Sequence, residues 1–184
     1  MSSPRPVRFR EVRPDPQARL AAAAAAPHPV ALLCDGLDDP RNLGVIFRLA
    51  EAARLAHVYL YRLPPHLRRA DGGLMPKIGK ISREAVRHVP YTLLDDPVTV
   101  VALRDHYTPV ALEWTDQSIP YTELALPAHT LLILGSETHG VSPELLAWSA
   151  AQIHLPMYGL NTSMNVANAA SIAVYELLRQ HYQK

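Results

Sequence analysis

At 184 residues, 48% of them hydrophobic, and with Cys34 as the lone cysteine, the chain is sized for one domain with its own core, and an intrachain disulfide framework is excluded. No apolar run approaches the roughly 18 residues of a membrane span, and the start Met1-Ser-Ser-Pro-Arg5 lacks the apolar stretch of a secretory signal, so a soluble, cytoplasmic protein is expected. The net charge is only +1, yet residues 1–90 carry 15 Lys+Arg against 8 Asp+Glu while residues 91–184 carry 3 against 9. The near-neutral total hides a basic half, mostly arginine, whose planar fork suits phosphate, although an arginine- and alanine-rich composition also follows from a GC-rich gene.

In chain order, residues 1–29 read as an arm with prolines at 4, 6, 14, 16, 27 and 29, in which only residues 15–26 could form a short helix. Its Arg5, Arg8, Arg10 and Arg13 are candidate phosphate contacts. Residues 30–184 form the expected domain. It opens with the apolar run 30–34, a strand of the kind covered on both faces, as in parallel sheets. A helix over 42–55 and a strand over 57–61 follow. Residues 63–80, with Arg68, Arg69, Lys77 and Lys80, read as a basic loop. Helices are expected over 82–89 and 96–105 and strands over 110–114 and 131–134. The last helices should span 142–150 and 165–182. This alternation predicts an α/β fold with a mostly parallel sheet flanked by helices.

Three segments carry chemistry. Asp39-Pro-Arg-Asn-Leu-Gly44 leads into a helix in which Arg48 is ringed by Ile46, Phe47, Leu49 and Ala50. A guanidinium in such company calls for a carboxylate or a phosphate, and the plainer alternative is a local Arg48 to Glu51 pair on a partly exposed face. Gly135-Ser-Glu-Thr-His-Gly140 follows the strand at 131–134. Leu155-Pro-Met-Tyr-Gly159 and Ser163-Met-Asn165 then run into the last helix, whose start offers free backbone donors to a ligand. His139 is read as loop packing. The histidines and Cys34 show none of the close spacings of a metal site, so no metal is expected. On the last helix Ile172 and Tyr175 lie off the main apolar stripe and mark either a wider core face or a partner subunit.

Taken in this order, the three motifs resemble the SpoU (TrmH) family of the SPOUT methyltransferase superfamily, over about residues 30–182. The resemblance implies transfer of a methyl group from S-adenosylmethionine to a ribose 2′-hydroxyl of tRNA or rRNA, a deep trefoil knot in the C-terminal part, and a homodimer. It places Leu134 and Gly135 on one side of the cofactor and Leu155, Met157 and Met164 on the other. It assigns catalysis to Asn42, Arg48, Glu137, Ser163 and Asn165. Arg48 would stabilise the developing alkoxide and grip a phosphate, with the proton going to phosphate, water or a transiently neutral guanidine. Asn42 would orient Arg48, while Glu137, Ser163 and Asn165 would fix loops and ribose. Arg41, Arg68 and Arg69 join the arm arginines as expected RNA contacts.

The sequence also departs from the family pattern. Arg48-Leu-Ala50 and then Ala53-Arg54 stand where Arg-Thr-Ala and Phe-Gly are usual, and Ser163-Met-Asn-Val-Ala167 where Ser-Leu-Asn-Val-Ser is usual. Two other readings compete: a catalytically silent RNA-binding protein of the same fold, and a dinucleotide-dependent enzyme. No Gly-x-Gly-x-x-Gly follows the first strand, which disfavours the latter.

Overall fold

The structure is a computed structural model that describes Asp15, Gln17, Ala21 and residues 25–182. Its strands are β1 (His28–Asp35), β2 (Leu55–Tyr61), β3 (Tyr91–Leu94), β4 (Thr108–Leu112), β5 (Ile119–Pro120), β6 (Thr130–Leu134) and β7 (Ala151–His154). They form one sheet in the order β3-β2-β1-β6-β4-β7-β5, and every adjacent pair is parallel. The expected α/β class is observed, with the sheet wholly rather than mostly parallel. The helices are α1 (Pro40–Ala52), α2 (Pro76–Ile81), α3 (Pro97–Val101), α4 (Pro143–Trp148) and α5 (Val166–Tyr182).

β1 and β6 lie at the centre, which explains their unbroken apolar sequences. Leu32 and Leu132 point into one core with Phe47, Ile46, Val174 and Leu177. Leu33, Leu131 and Ile133 face a second core with Val100 and Leu145. A strand buried on both faces has no polar face to alternate with. Each of these large side chains, taken fully out of water, contributes about 1.5–3 kcal/mol.

α1 starts where the sequence signals a start. Asp39 accepts a hydrogen bond from the Arg41 N–H at 2.7 Å and Pro40 takes the first helical position. It ends before the expected residue 55, because Arg54 turns left-handed at φ +48° and the chain enters β2 at once. Gly44 on α1 lies against Ile81, and a Cβ there would overlap that side chain. Glycine is what lets α2 sit on α1.

Between β2 and β3 the expectations need correction. Residues 63–80 are not merely a loop: a 3₁₀ turn (Pro65–Leu67) and α2 anchor it through the fully buried Leu67 and Ile78. The helix expected over 82–89 is absent. Ser82 ends α2, with its hydroxyl donating to the Gly79 carbonyl at 2.9 Å. Arg83 and Glu84 then adopt φ of +50° and +68°, which no right-handed helix tolerates, and only a 3₁₀ turn (Ala85–Arg87) follows. Nor does the sequence reading anticipate β3 or the two-residue β5. The helix expected over 96–105 divides into α3, capped by Asp96, and a 3₁₀ turn (Ala102–Asp105). β4 stops two residues short of expectation, so Glu113 and Trp114 lie beyond the strand.

Candidate active site

In a parallel sheet all strands present their C-terminal ends at one edge, and ligands bind there. Three loops meet at this edge, following β4, β6 and β7, and enclose a cleft of about 440 Å³. The loop after β6 is closed by two backbone hydrogen bonds of 3.0 Å between Ser136 and Gly140. Gly135 is where it passes closest to itself. A Cβ on Gly135 would overlap the Gly140 carbonyl carbon and the Val141 nitrogen, so any side chain must break the loop. Gly140 takes φ +68° and leaves room for the carboxylate of Glu113.

At one end of the cleft Asn42, Glu137 and Asn165 are joined in a chain. Asn42 Nδ2 donates to Glu137 Oε1 at 2.6 Å, and Asn42 Oδ1 accepts from Asn165 Nδ2 at 2.9 Å. Asn165 Oδ1 in turn accepts from the N–H groups of Ala167 and Asn168, at 3.0 and 3.3 Å, and so caps α5. Glu137 Oε2 receives the Asp38 N–H at 3.4 Å. Each amide oxygen and nitrogen has one role here, which fixes how the buried Asn42 points. Residues 95 and 123 positions apart are thereby locked at one point.

The other site candidates divide. Ser163, Gly135, Leu155, Met157 and Met164 line the cleft with Glu137 and Asn165. Leu134 does not: it is fully buried at the end of β6. Arg48 lies outside the cleft lining, exposed, and among the described residues it makes no hydrogen bond or ion pair, with Glu51 or any other group. The compensated guanidinium expected from its apolar neighbours is therefore not what the fold contains. Ile46, Phe47, Leu49 and Ala50 face the core, while Arg48 shares the open side of α1 with Val45. Asn42 spends its amide on Glu137 and Asn165 rather than on Arg48.

The arginines expected to meet RNA are also placed differently from one another. Arg41 is 79% exposed and held by Asp39 at 2.7 Å, and Arg69 pairs with Asp71 at 2.7 Å on the surface. Arg68 is a brace. Its Nη1 and Nη2 grip Asp95 at 2.7 and 2.6 Å while Nε donates to the Leu63 carbonyl at 2.8 Å, and these bonds hold the Asp95 carboxyl below its ordinary pKa. Arg68→Ala is expected to cost about 1–2 kcal/mol of stability, read as a lower thermal midpoint, while changing RNA affinity less than about twofold. A large loss of RNA affinity at unchanged stability would restore it to the RNA surface. Arg5, Arg8, Arg10 and Arg13 lie outside the described residues.

Sequence reasoning missed Glu113, Trp114 and His154, which also line the cleft. The rings of Trp114 and His154 lie 4.2 Å apart, tilted by 38°, and His154 Nδ1 shares a 2.9 Å hydrogen bond with the Ser118 hydroxyl. The available signal was position: His154 ends β7, and Glu113 and Trp114 directly follow β4. Among the described residues no group of three His, Cys, Asp or Glu is placed to hold a metal ion, and no helix is long and apolar enough to cross a membrane.

Comparison with known proteins bears on the whole arrangement. Residues 29–175 match the model of the SpoU rRNA Methylase family. The chain is 33% identical over 165 residues to the 23S rRNA (guanosine(2553)-2′-O)-methyltransferase RlmP of Bacillus subtilis, covering 88% of this chain and 61% of that protein. It spans about three-fifths of the length of the curated relatives it matches. Among solved structures it is similar to a TrmH/SpoU tRNA modifying enzyme of A. aeolicus, with a TM-score of 0.77 at 24% identity over 90% of this chain and 82% of that one. It is likewise similar to the SpoU methyltransferase AviRb of Streptomyces viridochromogenes, solved in complex with AdoMet, with a TM-score of 0.74 at 24% identity over 90% of this chain and 65% of that one. These likenesses show the fold: the parallel α/β sheet is that of the knotted SPOUT class.

Proposed function

The chain belongs to the SpoU rRNA methylase family, and from that premise we propose that it methylates a ribose 2′-hydroxyl of a tRNA or rRNA with S-adenosylmethionine, as a homodimer in the cytoplasm. The observation that carries the reading is the Asn42–Glu137–Asn165 chain set against a cleft lined by the carboxylates of Glu113 and Glu137 and, among the described residues, by no lysine or arginine. Such a cleft suits a cationic ligand and disfavours the pyrophosphate of a dinucleotide. Its volume lies in the range of small-molecule sites, about 300–1,000 Å³. The intact polar chain argues against a catalytically silent relative.

S-adenosylmethionine, when bound, supplies an electrophilic methyl group on a sulfonium. Leu155, Met157 and Met164 offer it an apolar wall, and Gly135 lets backbone come within reach. Glu137 and Asn165, held by Asn42, fix the ends of two loops so that Ser163 faces the acceptor ribose. Arg48, exposed and uncommitted, takes the phosphate beside that ribose and stabilises the oxygen as its proton leaves. Most of the rate then comes from positioning. Val45 on α1 and Ile172 and Tyr175 on α5 are apolar and exposed on two helices that pack together, and a second copy of the chain would cover them.

The test is to incubate the protein with methyl-labelled S-adenosylmethionine and total RNA from a strain that lacks it, then digest to nucleosides. Label is expected in a 2′-O-methyl nucleoside. Measurable cofactor binding with no such label would overturn the reading in favour of an RNA-binding protein.

A further inference from the structure

The carboxylate of Glu113 is fixed in the cleft wall without a counter-cation. Its Oε2 accepts the Val141 N–H at 2.9 Å and its Oε1 accepts the Trp114 N–H at 2.9 Å. Its own N–H donates to the Ile153 carbonyl at 2.9 Å, which ties it to β7. Among the described residues Glu113 forms no ion pair, and the other ionisable side chains lining the cleft are Glu137 and His154. Glu137 is already committed to Asn42. Two neutral donors orient Glu113 but leave its charge uncancelled, and a half-enclosed wall focuses that charge into the cavity.

Methyl transfer changes the charge of what occupies the cleft. The sulfur–methyl bond breaks as the methyl–oxygen bond forms. The sulfur keeps the electron pair and becomes a neutral thioether, and the ribose proton leaves. The donor and its product therefore differ by one positive charge and a methyl group.

We propose that Glu113 is the residue that selects the charged donor over its neutral product, so that fresh S-adenosylmethionine displaces S-adenosylhomocysteine from the cleft. The inference rests on the reading of this cleft as the donor site. A carboxylate several ångströms from a unit positive charge, at the effective dielectric of a partly exposed site, shifts affinity by about tenfold.

The experiment is calorimetric titration of the wild-type protein and of Glu113→Gln with S-adenosylmethionine, S-adenosylhomocysteine and sinefungin, which carries an ammonium in place of the sulfonium. The variant should bind both cations about tenfold more weakly and S-adenosylhomocysteine within about twofold of wild type. An equal loss for all three ligands would reduce Glu113 to a brace of the loops, and no loss for any would remove it from the site; either overturns the proposal. Since glutamine also replaces one acceptor with a donor, a second measurement uses the unaltered protein. Raising the salt from about 0.05 to 0.5 M should narrow the ratio of affinities between donor and product. A ratio unmoved by salt would also overturn it. Wild-type protein that binds none of the three would instead sink the reading of the cleft itself.

Discussion

Arg48→Ala should abolish methyl transfer, lowering kcat/KM by at least about 10²–10³-fold, while leaving the affinity for S-adenosylmethionine within about twofold of wild type. The separation follows from where Arg48 lies. It is outside the cleft lining, exposed, and without a hydrogen bond or ion pair among the described residues, so its removal opens no cavity and orphans no buried partner. Under the proposed activity its guanidinium is left for RNA and for charge that develops during the reaction. Arg48→Lys should recover only part of the activity, since lysine restores the charge but not the two-pronged fork. Equilibrium binding of the donor and single-turnover transfer to RNA together decide the matter. A variant that loses donor affinity in step with activity would show that Arg48 belongs to the cofactor site instead.

Gly135→Ala should be the most damaging alanine substitution among the glycines. The added carbon would overlap backbone atoms of Gly140 and Val141, and neither can move aside. Gly140 is held by its paired bonds with Ser136, Val141 by Glu113, and the next residue, Ser142, by the buried Asp35 at 2.9 Å. The expected cost is at least about 3 kcal/mol, together with loss of donor binding, because the loop it splits open is one wall of the cleft. Thermal unfolding followed alongside donor titration would check both. A stable variant with undiminished affinity would mean that the loop tolerates a wider path than its hydrogen bonds suggest.

What the sequence disclosed and what it concealed have physical causes. The strands at 30–34 and 131–134 were legible because a central parallel strand must be apolar on both faces, and α5 because its stripe repeats at helical spacing. The stretch from 63 to 89 was not. Its path depends on left-handed turns at Arg83 and Glu84, residue types that give no warning of such a conformation. β5 is two residues long and exists only because β7 is beside it. In the site, Asn165 was marked by its place at a helix start, but the roles of Asn42 and Glu137 came from motif resemblance, for no local period can register a contact across 123 positions. Arg48 was expected to be compensated because apolar residues flank it in sequence, whereas the turn of the helix carries them to the other side. Leu134 was expected at the cleft, whereas the strand end keeps it buried one residue behind the lining. Glu113 and Trp114 escaped notice because they acquire a role only where β4 stops, and the sheet decides that.

The central place of β1 also has a consequence in time. Ala31 to Cys34 pair on one side with His57 to Leu60, made soon afterwards, and on the other with Leu131 to Leu134, made about 100 residues later. At a synthesis rate of about 5–20 residues per second, the second partner follows the first strand out of the ribosome by about 5–20 s. Throughout that interval the most apolar strand of the nascent chain has one open edge, which any other unpaired strand could occupy.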